Sequence, residues 1–461
     1  MNPRRSSTTD DEALAPEEPT RVSFRDALRF WTKLGFINFG GPAGQIALMH
    51  DELVERRRWV SNGRYLHALN YCILLPGPEA QQLAIYIGWL LNGTLGGIAA
   101  GVLFVLPAFF LILALSWTFV THGDVAWVAA VFYGLGAAVI AIVASAVIRV
   151  GSKALTNRTL LAIAVAAFVG IFIFTIPFPL IVLGAGGIGY LGARRSPGTF
   201  ATPDAHAGDG GSAVGDASLE RARPSPARTL RVLITGLAVW WVPLLAVALW
   251  RGGDDVLTQE SIFFSQAALV TFGGAYAVLA YINQAAVQQF GWLEPGQMVT
   301  GLGLAESTPG PLIMVTEFVG FLGAYRFPGG LDPVVAGVLG AVVATWATFA
   351  PCFLWIFLGA PFIESLRGHS RLNGALSAIT AAVVGVILNL AVTFALATLF
   401  STVAQRSLGG VTLPVPDLAT LDVFAAGLAA IAFVGLWRYR WKVVLVVAGS
   451  ALAGLIYKTL L

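Results

Sequence analysis

The sequence predicts an all-α polytopic membrane protein whose two homologous halves form an inverted, antiparallel repeat, with about 10–13 transmembrane segments and broken helices among them. Three observations predict it. Of 461 residues, 57% are hydrophobic and only 11% charged, where a soluble domain carries about 25% charged residues. Apolar stretches of about 20 residues, the length that crosses a bilayer, recur along the chain. Short motifs also recur at one constant spacing, the mark of an internal duplication.

The apolar segments of the first half are roughly 24–49, 66–91, 94–120, 124–149, 159–176 and 178–193. Those of the second are roughly 230–250, 260–285, 297–323, 333–358, 372–400 and 420–436, with a further one at about 441–459. Pro177 and Pro179 split the pair at 159–193, which reads as two short spans or one long kinked one. Residues 1–23 are polar, lack the apolar core of a signal peptide, and read as a disordered tail. Residues 194–229 are rich in Gly, Ala, Pro, Ser, Asp and Arg and read as a flexible cytoplasmic linker between repeats at 24–193 and 230–461.

The repeat is specific. Phe39-Gly40-Gly41 returns as Phe272-Gly273-Gly274, Trp59 as Trp292, and Pro76-Gly77-Pro78 as Pro309-Gly310-Pro311, each pair 233 positions apart. Phe30 with Phe263, and Leu69 with Leu302, share that spacing. With the N-terminus inside, Arg149, Lys153 and Arg158 fall inside, as does the Arg-rich linker. The segment at 230–250 then carries the chain out before the second repeat begins, which inverts the halves. Arg56-Arg57-Arg58 falls outside in this count. Either the charge rule is violated there, or segments 24–49 and 66–91 are re-entrant.

Gly-Gly-Pro and Pro-Gly-Pro interrupt otherwise helical segments. In a bilayer, broken backbone is tolerated where protein or a watery cavity satisfies it. Paired interruptions in two halves point to a transport site, because half-helix N-termini present free N–H groups and partial positive charge to an anion. The competing reading is kinking or close helix packing. The candidate substrate-binding residues are Lys33, Asn38, Gly40, Gly41, Gln45, Pro76, Gly77, Pro78, Gln82, Gly273, Gly274, Pro309, Gly310 and Pro311. Glu79 and Glu306 are candidate proton carriers, and Glu317 is a further intramembrane carboxyl. Lys33 also reads as a snorkelling side chain, Glu79 as a helix-dipole partner, Arg149 as a positive-inside anchor, and Trp59 and Trp292 as interfacial anchors.

Several classes are excluded. No Walker motif is present, so ATP-driven pumping by this chain is not expected. Two cysteines and five scattered histidines form no disulfide framework or metal-ligand spacing, and no cofactor or nucleic-acid partner is expected. The Gly-rich run at 184–189 lies in an apolar segment without a βαβ context and is not a dinucleotide loop.

The repeated motifs resemble those of the chromate ion transporter family in its long two-domain form. The residues that carry the resemblance are Phe39-Gly40-Gly41-Pro42, Trp59, Leu75 through Ala84, and Gly97 through Pro107. In the second half they are Thr271 through Tyr276, Gly291-Trp292-Leu293 and Ala305 through Ile313. The resemblance implies a secondary transporter of the inner membrane that exports chromate on an ion gradient and confers chromate resistance. Sulfate, an isosteric tetrahedral dianion, is the natural competitor, and a general oxyanion importer or exchanger is the alternative. The expected partners are this oxyanion and the lipid bilayer, with a homo-oligomer left open.

Overall fold

The computed structural model describes residues 22–195, 199–200, 225–272, 275–360, 370–408 and 411–460. The polar tail and most of the linker expected from the sequence lie outside the described residues, as do Gly273 and Gly274.

The first half begins with two short helices, α1 (Phe24–Ile37) and α2 (Gly41–His50), the latter continued by a π-helical turn at Asp51–Arg56. Helix α3 (Asn62–Leu74) is followed by α4 (Glu79–His122). Non-helical backbone at Asn92 and Gly93 divides α4 into α4a, 79–91, and α4b, 94–122. Three helices complete this half: α5 (Ala126–Ala154), α6 (Arg158–Phe172) and α7 (Phe178–Arg195). Helix α8 (Pro226–Arg251) then leads into the second half.

That half has α9 (Val256–Val270), α10 (Ala275–Asn283) with a π-helical turn at Gln284–Gln289, and α11 (Gln297–Ser307). A 3-10 turn at Leu312–Met314 leads into α12 (Val315–Arg326), followed by α13 (Pro333–Gly359) and α14 (Ser370–Leu399). A hairpin of β1 (Val403–Leu408) and β2 (Val411–Pro416), not foreseen from the sequence, precedes α15 (Val423–Trp437) and α16 (Val443–Leu460).

Four of the expected single segments, 24–49, 66–91, 260–285 and 297–323, are each broken in two. Helix α1 has 14 residues and α3 has 13, so each rises only about 20 Å against a hydrocarbon core of about 30 Å. They fold back instead of continuing. Phe30 on α1 packs on Trp59 beyond α2, with ring centroids 5.4 Å apart, and Lys33 lies 3.9 Å from Glu52. Tyr71 on α3 packs against Tyr86 on α4a, and Asn92 at the end of α4a donates to the Val22 carbonyl at 2.9 Å. Both segments therefore turn back as helical hairpins, the arrangement that a re-entrant segment requires. The second half repeats this with Phe263 against Phe290 and Trp292, each 5.6 Å apart. Its hairpin bases are tied by Arg326 to Glu294 at 2.8 Å and to the Gly291 carbonyl at 3.3 Å.

The sequence spacing reappears in backbone detail. The π-helical turns at 51–56 and 284–289 are 233 positions apart. So are the positive φ values of Arg58 (53°) and Gly291 (64°), and of Gly77 (122°) and Gly310 (129°). The pair at 159–193 is two helices, α6 and α7, which both pack on α14 of the other half. Reciprocally, α15 and α16 pack on α5. Such an exchange of partners is what a two-fold relation produces.

Small residues let these helices approach closely, as membrane helix packing requires. Gly189 of α7 meets Gly374 and Ala378 of α14, and Gly454 of α16 meets Ala130 and Gly134 of α5. A methyl group at Gly134 would fall 2.0 Å from the Ser450 carbonyl oxygen, whereas one at Gly187 would have nothing within 4 Å. Thermal unfolding in detergent should therefore register Gly134→Ala as destabilising by about 1–3 kcal/mol. Gly187→Ala should stay within about 0.5 kcal/mol of the parent.

Candidate functional site

The tips of the four hairpins meet at one place. Asn38–Gly40 separates α1 from α2, Leu75–Pro78 separates α3 from α4a, Thr271 follows α9, and Thr308–Pro311 follows α11. Backbone that leaves a helix inside a bilayer must find partners in protein or water, and here each half supplies the other. The Gly77 N–H donates to the Thr271 carbonyl at 2.9 Å, and the Gly310 N–H donates to the Asn38 carbonyl at 3.3 Å. Asn38 and Thr271 stand at equivalent positions of the repeat, as do Gly77 and Gly310, so the two bonds form a reciprocal pair.

Around this junction lies an enclosed cavity of about 10 Å³, lined by Pro42, Gln45, Pro78, Glu79, Ala80, Ala275, Pro311, Leu312 and Ile313. It has room for at most one water. Its walls are the first residues of α2, α4a, α10 and the turn that opens α12. Residues at the starts of four helical segments thus line one cavity, and a helix start in general carries N–H groups without intrahelical partners and partial positive charge. Helix N-termini in this arrangement are the kind of surface that suits an anion.

The amide side chains add hydrogen-bonding capacity. Gln45 Nε2 donates to the carbonyls of Asn38 at 3.0 Å and Gly310 at 2.5 Å, linking the halves a third time. Gln82 Nε2 donates to the Pro76 carbonyl at 2.7 Å. Asn38 is fully buried, yet both its side-chain polar atoms lack a partner among the described residues, as do Gln45 Oε1 and Gln82 Oε1. A buried polar atom without a partner costs about 1–3 kcal/mol, so several at one junction mark a place organised around something other than its own stability.

The sequence-predicted residues divide into groups. Gln45, Pro78, Glu79 and Pro311 line the cavity, Asn38, Gly40, Pro76, Gly77, Pro309 and Gly310 form the breaks around it, and Gly41 and Gln82 lie in the first turns of α2 and α4a. Lys33 is not in the lining. Its ammonium group sits with Arg56 and Arg57 around the buried carboxylate of Glu52, at 3.9, 3.0 and 3.3 Å respectively. Glu306 also stands back from the cavity and accepts a hydrogen bond from the Tyr276 hydroxyl at 2.5 Å, with Arg149 of α5 beside the pair. Arg149, expected as an anchor at the membrane surface, thus reaches a carboxylate next to a break.

Trp292, expected at an interface, is buried and stacked on Phe290 at 4.3 Å, so the repeated tryptophans lock hairpins against Phe30 and Phe263. Sequence reasoning missed Glu52 and Glu260. The latter is completely buried, and neither of its carboxylate oxygens has a partner among the described residues. In the sequence it sits in Thr258-Gln259-Glu260-Ser261, which looks like an ordinary polar first turn of a helix.

The sequence model of a family described as "Chromate transporter" matches residues 25–190 and 258–455, one stretch in each half. A chromate transport protein of Cupriavidus metallidurans is 30% identical, with 100% of each chain covered. One of Pseudomonas aeruginosa is 32% identical over 98% of this chain and 96% of its own. A probable chromate transport protein of Synechococcus elongatus is 30% identical over 82% and 86%. No solved structure matches the chain.

The positive φ at Gly77 and Gly310 disfavours any side chain, and space forbids one as well. A Cβ would fall 2.7 Å from Gln82 Nε2 at Gly77 and 2.3 Å from the Ala108 Cβ at Gly310. Gly77→Ala and Gly310→Ala should each lower stability by about 1–3 kcal/mol in detergent thermal unfolding. Because one bond of the reciprocal pair depends on each glycine, the double variant should depart from additivity by more than about 0.5 kcal/mol.

Proposed function

This chain belongs to the chromate transporter family, and we propose that it is a secondary active transporter that exports chromate across the inner membrane on an ion gradient, conferring chromate resistance. The observation that carries the proposal is the convergence of four half-helix N-termini on one cavity between the two halves. The names of the full-length relatives supply the substrate.

In the membrane frame we infer, the bases of the first two hairpins face the cytoplasm. Arg56, Arg57 and Arg58 then lie inside, in keeping with the positive-inside rule. Helix α8 crosses once, and the remaining two hairpins enter from the opposite surface. The packing of α4b on α13 supports this inversion. Gly97 sits against Phe357 and Gly101 against Phe353, so these equivalent helices run antiparallel. A two-fold axis relating antiparallel membrane helices lies in the plane of the bilayer.

The anion would bind at the midplane to N–H groups of the four breaks, helped by the side-chain N–H of Asn38, while Gln45 and Gln82 brace the breaks through the Asn38, Gly310 and Pro76 carbonyls. The cavity as described is too small for a tetrahedral oxyanion, so it represents a closed arrangement. Binding requires the halves to part on one side. Because the hairpin tips of one half are bonded to those of the other, opening toward one surface tightens the contacts toward the opposite one, which is the requirement of alternating access. Glu79, at the cavity wall on the first turn of α4a, is the proton carrier that can sense the anion directly. Like-charge repulsion would keep its carboxyl protonated while the dianion is bound and let it ionise once the dianion has left, so anion and proton occupancy are linked at this residue. Glu306 with Tyr276 and Arg149 is a second, more remote carrier. Donors of this kind recognise a tetrahedral dianion by shape and charge, so sulfate import or exchange is the alternative.

Sensitive cells expressing the protein should accumulate several-fold less chromate than cells without it, at low and high external sulfate alike, and an uncoupler should abolish the difference. Unchanged or increased accumulation would remove chromate export and leave the alternative. Glu79→Gln, correctly inserted, should lose at least tenfold of uncoupler-sensitive export. Gly41→Leu should do the same, and full activity in the latter would sink the backbone-site reading.

A further inference from the structure

A second, much larger cavity lies away from the hairpin tips. It is a cleft of about 680 Å³ between α4b, α8 and α13. Its walls are almost entirely apolar, and they stay open along α4b, where Ile98 and Val102 are 42% and 44% exposed. Helix α8 leans over it, held to α13 by the Trp346 indole N–H, which donates to the Val239 carbonyl at 3.0 Å. One end is different in character. Arg228 and Arg231, one turn apart on α8, face Thr94 and Trp89 there. The Arg228 guanidinium lies 5.9 Å over the Trp89 ring, and its Nη1 is buried without a hydrogen-bond partner among the described residues. Among the described residues, no Asp or Glu lines the cleft.

We propose that this cleft is a binding site for an anionic phospholipid, with the phosphate held by Arg228 and Arg231 and an acyl chain lying between α4b, α8 and α13. Charge and shape agree on this occupant. Two arginines without a counter-anion among the described residues sit at the mouth, where a basic site at the membrane surface recognises lipid phosphate. From Thr94 to Phe109 the wall of α4b runs about 22 Å. That is longer than the roughly 15 Å depth of one leaflet's hydrocarbon, so an acyl chain fits along its length. A free phosphate would use the arginines but leave the apolar walls uncovered. The site is independent of the hairpin tips and of which oxyanion the protein carries.

The test is native mass spectrometry of the full-length protein released from detergent with phosphatidylglycerol or phosphatidylcholine of identical acyl chains. The wild type should retain phosphatidylglycerol about tenfold better than phosphatidylcholine. Arg228→Gln combined with Arg231→Gln should erase that preference, and Val102→Trp, which fills the cleft with the arginines intact, should lose both lipids. If the arginine variant does not fold, the Val102→Trp comparison decides alone. Equal retention of the two lipids by the wild type, or retention unchanged in a folded variant, overturns the proposal. Displacement of phosphatidylglycerol by millimolar inorganic phosphate overturns it in favour of a free-phosphate site. A wild type that holds no lipid also overturns it, and a dimer lost in Val102→Trp would then make a second copy the occupant.

Discussion

The structure depends on the pairing of backbone that has left the helix. Each of the four hairpins exposes peptide groups at its tip, and lipid can satisfy none of them. The bonds from Gly77 to Thr271 and from Gly310 to Asn38 meet this need by making each half the hydrogen-bonding environment of the other. A half alone would present these groups unpaired, at a cost of several kcal/mol each in hydrocarbon. The surrounding bundle also joins the halves, since α5 packs on α11, α15 and α16 of the second half and α14 packs on α6 and α7 of the first.

The two halves share backbone but not chemistry. Gln45, Gln82 and Glu79 belong to the first half, and the repeat places Val278, Val315 and Leu312 at their counterparts. The buried carboxylates Glu260, Glu306 and Glu317 belong to the second, opposite Ala27, Ile73 and Ala84. Symmetry thus governs the scaffold, where reciprocal pairing is demanded, and is absent among the side chains. The side-chain amides around the junction come from one half. Most of the buried ionisable groups come from the other, so the two sets of side chains can diverge in sequence without disturbing the shared backbone.

Much of this was legible in the sequence because Gly and Pro act locally. Pro76-Gly77-Pro78 and Gly40-Gly41-Pro42 break a helix wherever they stand, and their spacing exposed the repeat before any contact was known. The positions of α5 through α8 and α13 through α16 followed from apolar length alone. The turn-back at each break did not, because a 26-residue apolar segment reads the same whether it continues or folds back. Only Arg56, Arg57 and Arg58 hinted at it. The partners of Lys33, Glu306 and Arg149 were also hidden, since Glu52 and Tyr276 reach them through the fold rather than along one helix. The hairpin of β1 and β2 went unseen because two short strands with Pro414 and Pro416 carry little alternation.

Helix α8 has no counterpart in the repeat, and most of its surface faces away from the other helices. In the inferred membrane frame it acts as a parity element. It adds one crossing between two units that otherwise bring the chain back to the side where it began, and so turns the second unit over. A single unit translated as a separate polypeptide would lack that element. To rebuild the junction, two such polypeptides would have to enter the membrane in opposite senses, and orientation would pass from a helix in the chain to the distribution of arginines between two products.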